Sequence, residues 1–149
     1  MIFAALDKSI DWSCNTTWRQ SAYNTMWCLI GCSIGDMGTI YYFQVNEINW
    51  STLSIMLLAM TNGIITSIIL ETIILLKQMN LTSAFKTAIG MSLISMISME
   101  IAMNLVDYLV TGGAKINLMV IPLMLIAGFL TPWPYNYWRL KKFNKGCCA

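Results

Sequence analysis

The chain has 149 residues, of which 57% are hydrophobic and 11% are charged, and its formal net charge is +2. A soluble domain carries about 25% charged residues. The composition and the mean hydropathy of +0.63 therefore indicate an integral membrane protein of a single domain. The small net charge predicts no nucleic-acid partner. Histidine is absent, which excludes a Ser-His or Cys-His catalytic pair within the chain. We therefore expect no enzyme activity from the chain on its own.

Residues 1–20 predict an interfacial segment, because Trp12 and Trp18 are typical of the headgroup level of a membrane. Four hydrophobic runs follow, and they are residues 21–43, 51–76, 84–110 and 116–130. A helix crosses a bilayer with about 20 apolar residues. The pattern predicts an all-α membrane protein with four transmembrane helices and short loops. Residues 131–149 predict an aromatic and basic cytoplasmic tail.

The basic residues predict the orientation of these spans. Eight of the nine lie in the N-terminal segment, the 77–86 turn and the C-terminal tail, and only Lys115 lies on the opposite side. Cytoplasmic loops of membrane proteins carry the excess of Lys and Arg. We therefore expect a multi-pass protein of the cytoplasmic membrane with both termini in the cytoplasm.

The third span carries two carboxylates within its apolar sequence. At roughly 100° per residue, one stripe about 140° wide contains Ser92, Met96, Met99, Glu100, Met103, Asn104 and Asp107. The opposite side consists of Ile94, Ile97, Ile101, Leu105 and Tyr108. Ionisable groups at membrane depth turn toward protein and usually have partners. The stripe is therefore expected to face the interior of the bundle.

The first span offers a matching face. It contains Asn24, Cys28, Gly31, Cys32, Gly35, Asp36 and Thr39. Gly31 and Gly35 have the spacing that allows a second helix to approach closely. The first and third spans run in the same direction, so Asp36, Glu100 and Asn104 are expected at similar depth.

Three ordered motifs carry a resemblance to a known family. They are Asn24-Thr25 followed by the Cys28–Asp36 block CLIGCSIGD, Met99-Glu100 followed by Asn104, and a block from Gly128 to Lys142 that ends in PYNYWRLKK. With these motifs the chain resembles an uncharacterised family of bacterial and archaeal integral membrane proteins, known as a domain of unknown function. The resemblance covers most of the chain and implies a small helical membrane protein without an assigned activity.

Three functions remain open on this evidence. In the first, the chain is an accessory or structural subunit whose polar faces pack against other integral membrane subunits or a second copy. Asn24, Gly31, Gly35 and the acidic residues then serve helix packing. The sulfur-rich composition suggests a copper-dependent membrane oxidase or monooxygenase as one complex to which such a subunit could belong. Besides protein subunits, the lipid bilayer is the expected partner of the chain.

The second function is binding or transport of Cu(I), because thiols and thioethers are soft ligands that suit this ion. The ligands would be Cys28, Cys32, Met96, Met99 and Met103, and copper would be the cofactor or cargo. The alternative for the methionines is ordinary flexible packing.

The third function is a proton or cation carrier. It would use Asp36, Glu100 and Asp107 as relay sites.

Overall fold

The computed structural model describes residues 11–77 and 80–142. Within these ranges the chain is all-helical, without strands, and its five helices are α1 (Asn15–Val45), α2 (Thr52–Leu75), α3 (Leu81–Thr111), α4 (Ile121–Leu130) and α5 (Trp133–Lys142). The all-α class predicted from the sequence is confirmed. The first ten residues of the predicted interfacial segment and the last seven of the predicted tail lie outside the described residues.

Two stretches among the described residues are long and apolar enough to cross a membrane. They are Thr52–Leu75, which is α2, and Ser92–Thr111, which is most of α3. The predicted number of four spans is not established by length and composition, and it remains a prediction.

The fourth predicted span differs most from the helix found there. Helix α4 begins at Ile121 rather than near residue 116 and has 10 residues. Its length of about 15 Å is half of the hydrocarbon thickness of about 30 Å. The later start of α4 has a local cause. Asn117 forms a turn in which its carbonyl accepts hydrogen bonds from the amides of Val120 and Ile121 at 2.9 and 3.1 Å. Pro122 then occupies the first turn of the helix, where its missing N–H costs nothing.

Helix α1 begins earlier than the predicted first span. It starts at Asn15, and the sulfur of the N-cap residue Cys14 accepts a hydrogen bond from the Thr17 amide at 3.4 Å. The second part of the predicted interfacial segment is therefore helical. The helix is interrupted between α4 and α5 next to Pro132, as the two prolines Pro132 and Pro134 predict.

Helix α5 packs along the first turns of α1 through aromatic rings. The rings of Trp18 and Tyr137 are stacked with 4.2 Å between centroids, and Trp12 stacks on Tyr137 at 5.1 Å. Asn136 Nδ2 donates a hydrogen bond to Thr25 Oγ1 at 2.8 Å. The predicted tail is thus a docked helix as far as Lys142, and Tyr137 is buried in the contact.

Helices α1 and α2 meet along what we call the glycine seam, formed by Gly31 and Gly35 of α1 and by Asn62, Thr66 and Ser67 of α2. A Cβ atom at Gly31 would lie 2.6 Å from Ser67 Cα, and one at Gly35 would overlap the Asn62 carbonyl oxygen. The Thr66 hydroxyl donates to the Gly31 carbonyl at 2.7 Å. Only glycine permits this approach of the two backbones.

The outward faces of the long helices are apolar. The residues predicted as the back of the third span, which are Ile94, Ile97, Ile101, Leu105 and Tyr108, are all exposed on α3. On α2 the exposed large residues include Leu53, Leu57, Ile65, Ile69 and Ile73. Large contiguous apolar surfaces of this kind are covered by lipid or by another protein.

Candidate functional site

Three polar side chains from two helices form a buried group that we call the acid cluster. Asp36 comes from α1, and Glu100 and Asn104 come from α3, with exposed fractions of 0, 0 and 3%. Asn104 Nδ2 donates a hydrogen bond to Asp36 Oδ1 at 3.0 Å and approaches the Glu100 carbonyl at 3.1 Å. The structure therefore brings together the residues that the sequence placed at similar depth in the bundle.

Gly63 of helix α2 lies against the acid cluster. A Cβ atom at Gly63 would overlap Glu100 Oε1 and would lie 3.0 Å from the Cys32 carbonyl oxygen. The Glu100 carboxyl group therefore lies directly against the backbone of α2. No sequence pattern singled out Gly63, because its role depends on a side chain 37 residues further along the chain.

Four buried oxygens of the acid cluster have no hydrogen-bond partner among the described residues. They are Glu100 Oε1, Glu100 Oε2, Asp36 Oδ2 and Asn104 Oδ1. A buried polar atom without a partner is costly, and a buried charge more so. The Asp36 and Glu100 carboxyl groups interact electrostatically. A proton shared by the two carboxyls, or a bound cation, would satisfy these oxygens.

A second buried group lies beside the acid cluster, and we call it the sulfur cluster. It consists of Cys28, Cys32, Met96, Met99, Met103 and Met124, packed with Val120. Both cysteines are free thiols. The predicted soft ligands are thus brought together, with Met124 of α4 added. Within the part of the chain that is described, no group of three or more His, Cys, Asp or Glu side chains is arranged to hold a metal ion.

Asn24 is placed differently from the sequence prediction. Although it lies on the helical face of Cys28, its side chain is exposed. The cause is a change of neighbour along α1, because near its beginning α1 packs against α5 rather than α3. Ser21 and Thr25 are buried there instead, and Thr25 accepts the hydrogen bond from Asn136.

Asp107 lies at the far end of the α3 stripe and is fully buried. Its Oδ2 accepts a hydrogen bond from the Lys115 backbone amide at 3.1 Å, and its Oδ1 accepts one from the Thr111 hydroxyl at 3.1 Å. Thr111 and Lys115 also line a cavity of about 520 Å³. The other lining residues are Gln44, Val110, Ile116, Asn117, Leu118 and Val120.

At the opposite end of the bundle, Glu71 of α2 forms a third polar group. Its carboxyl interacts electrostatically with Arg139 of α5, and Ser92 and Cys28 also influence it. Burial lowers the pKa of the Arg139 guanidinium, and the nearby Tyr135 and Glu71 oppose that shift. Glu71 is half-buried. The docking of α5, which the sequence did not predict, creates this group.

The fold and the site define an all-helical protein with apolar outer faces and carboxyl groups in its interior. Residues 17–145 match a family described as a domain of unknown function (DUF4396). The chain belongs to this family, in agreement with the resemblance found in the sequence. Comparison with curated proteins and with solved structures gives no significant match.

Proposed function

We propose that the protein is a membrane carrier that takes up and releases a proton or a small cation at Asp36 and Glu100. The observation that carries this proposal is the set of four buried oxygens of the acid cluster that have no hydrogen-bond partner in the described part of the chain. Intramembrane carboxyl groups are rare and costly, and in transport proteins they mark ion pathways and proton relays.

The energetics favour a site that binds and releases its cargo. Two ionised carboxylates side by side repel each other and lose hydration, so the pair is stabilised by one bound proton or cation. When the cargo leaves, these costs return, which favours rebinding from either side. Asn104 holds Asp36 in place through its 3.0 Å hydrogen bond.

The topology that accompanies this proposal is the four-span arrangement predicted from the sequence. Helices α2 and α3 contain the two candidate spans by length and apolarity. Helix α1, with 31 residues, is long enough for a third, and the fourth would be the predicted span 116–130, which contains α4, with α5 on the cytoplasmic side. Both termini would then be cytoplasmic under the positive-inside rule.

The accessory-subunit function remains a prediction, but its argument has changed. It relied on polar faces that pack against other membrane proteins. Asn104 instead contacts both Asp36 and the Glu100 backbone inside this chain. A partner subunit would therefore meet the apolar outer faces of α2 and α3, which a bilayer covers equally well.

Proton flux into vesicles that contain the purified protein tests the carrier function. We expect acidification under a pH gradient with a counter-ion path, and at least a tenfold loss of flux in Glu100→Gln and Asp36→Asn. Glu47→Gln is the matched control, since Glu47 is exposed beyond the end of α1. A wild-type rate equal to that of empty vesicles, for protons, sodium and potassium alike, would overturn the proposal.

Cu(I) binding is a second candidate function, because the sulfur cluster gathers two thiols and four thioethers in one buried place. Soft sulfur ligands suit Cu(I). Copper measured on protein purified with excess Cu(I) should reach one ion per chain and be lost in Cys28→Ser with Cys32→Ser. Met119→Leu is the control, because Met119 is exposed. Binding that survives both serine substitutions would exclude this site.

A further inference from the structure

The positive charges of the described residues collect at one end of the bundle. Helices α1 and α2 run antiparallel, because Thr66 contacts Gly31 whereas the earlier Asn62 contacts the later Thr39. The beginning of α1 therefore lies beside the end of α2, and α5 packs on the same turns of α1. Of the described basic residues, only Lys115 lies at the other end of the bundle. The others are Arg19, Lys77, Lys86, Arg139, Lys141 and Lys142.

Helix α5 presents two different faces at this end of the bundle. Its buried residues are Tyr137 and Leu140, and Tyr137 stacks on the aromatic rings that precede and begin α1. At about 100° per residue, Tyr135, Trp138 and Lys142 lie on the opposite side of the helix. Tyr135 and Trp138 are half-buried and Lys142 is exposed. We call these three residues the outer face of α5.

The outer face of α5 combines two aromatic rings with a positive charge. The ring centroids of Tyr135 and Trp138 are 5.8 Å apart. Lys142 Nζ lies 4.6 Å from the centroid of the Trp138 ring, which is within the range of a cation–π contact. On the helical wheel, Arg139 and Lys141 flank this face on either side. Tyr and Trp are enriched at the headgroup level of membranes, and basic residues there attract anionic lipids.

We infer that the outer face of α5 binds the headgroup of an anionic phospholipid, with Lys142 contacting the phosphate and the two rings lying against the same lipid. Charge complementarity selects this occupant, because anionic headgroups supply the negative charge at the surface of a bilayer. The apolar outer faces of α2 and α3 adjoin lipid in the proposed topology. The inference uses no residue of the acid cluster, so it does not depend on the carrier function.

Native mass spectrometry of the full-length protein in mild detergent tests the inference. The added lipid is phosphatidylglycerol or phosphatidylcholine with the same acyl chains, and the measured quantity is the ratio of their affinities. One Lys or Arg near an anionic surface contributes about 1 kcal/mol, which is a factor of about five. We expect the wild type to bind phosphatidylglycerol at least fivefold more tightly. The ratio should fall about fivefold in Lys142→Gln, fall further in Lys142→Glu and persist in Lys142→Arg.

Lys115→Glu is the matched control, because it reverses an exposed charge at the opposite end of the bundle, and it should leave the ratio unchanged. Equal affinity of the wild type for the two lipids would overturn the inference. So would an unchanged ratio in Lys142→Gln, or an equal loss in Lys115→Glu and Lys142→Glu. The same spectra report the oligomeric state. A dimer that Lys142→Glu dissociates at an unchanged lipid ratio would make a second copy of the chain the occupant, and the inference would be wrong.

Discussion

The glycine seam and the acid cluster are two polar regions of the same bundle, and both involve α1. In the glycine seam, each hydroxyl of α2 has an acceptor on α1, since Thr66 donates to the Gly31 carbonyl and Ser67 to the Cys28 carbonyl. In the acid cluster, four buried oxygens have no partner among the described residues. The hydroxyl groups of the glycine seam are therefore hydrogen-bonded, whereas these four oxygens of the acid cluster are not.

This difference in hydrogen bonding distinguishes polar groups that serve helix packing from polar groups that packing does not explain. Polar groups in an apolar bundle stabilise helix contacts when they are paired, and they destabilise the fold when they are left unpaired. The glycine seam therefore explains why α1 and α2 associate. The acid cluster lacks such pairing among the described residues, and the proposed carrier function accounts for it by a bound proton or cation.

The largest effect is expected from filling the glycine seam. Gly35→Ala should lower the free energy of unfolding by about 1–3 kcal/mol, because the added methyl overlaps α2 backbone that cannot move away cheaply. The matched control is Gly38→Ala, on the same helix with no atom within 4 Å of the added Cβ. Denaturant titration in mild detergent measures both. Equal stability of the two variants would show that the helices are not held at this contact.

A change of opposite sign is expected in the acid cluster. Glu100→Met should raise the free energy of unfolding by about 1–2 kcal/mol, because it removes two unpartnered oxygens from the interior. The same variant should have no proton flux. Glu100→Gln should lose flux without the gain in stability, since its amide is also left without partners. If Glu100→Met is less stable than the wild type, the carboxyl group is a structural element after all.

The smallest effect is expected from a single hydrogen bond of the seam. Thr66→Val removes the bond to the Gly31 carbonyl and should cost about 0.6 kcal/mol, the average for such bonds between membrane helices. Proton flux should be unchanged, because Thr66 has no contact with the acid cluster among its hydrogen bonds. If Thr66→Val loses proton flux at normal stability, the glycine seam and the acid cluster do not act independently.

The sequence predicts which face of each long helix is buried, but it does not predict most of the residues that contact that face. A period of 3.6 residues separates the buried stripe of α3 from its exposed isoleucines, and parallel spans bring Asp36 to the depth of Asn104. The pairing of Gly63 with Glu100 depends on how α2 and α3 cross, which no local pattern records. The exposure of Asn24 and the electrostatic interaction of Glu71 with Arg139 depend on α5, which the sequence indicated only as a tail.

The length of α4 shows a related limit. Its apolar run extends from residue 116, but the Asn117 turn holds the first residues out of the helix. Met124 of α4, which joins the sulfur cluster, is not among the soft ligands predicted from the sequence.

Gly63 and Glu100 leave each other little freedom to change independently during evolution. A side chain at position 63 would occupy the space of the Glu100 carboxyl, so a lineage that gains one there must also shorten or replace residue 100. Among relatives, we therefore expect glycine at 63 to accompany glutamate at 100, and a larger residue to accompany aspartate or a small side chain. The two positions are 37 residues apart, yet they should be inherited as a pair.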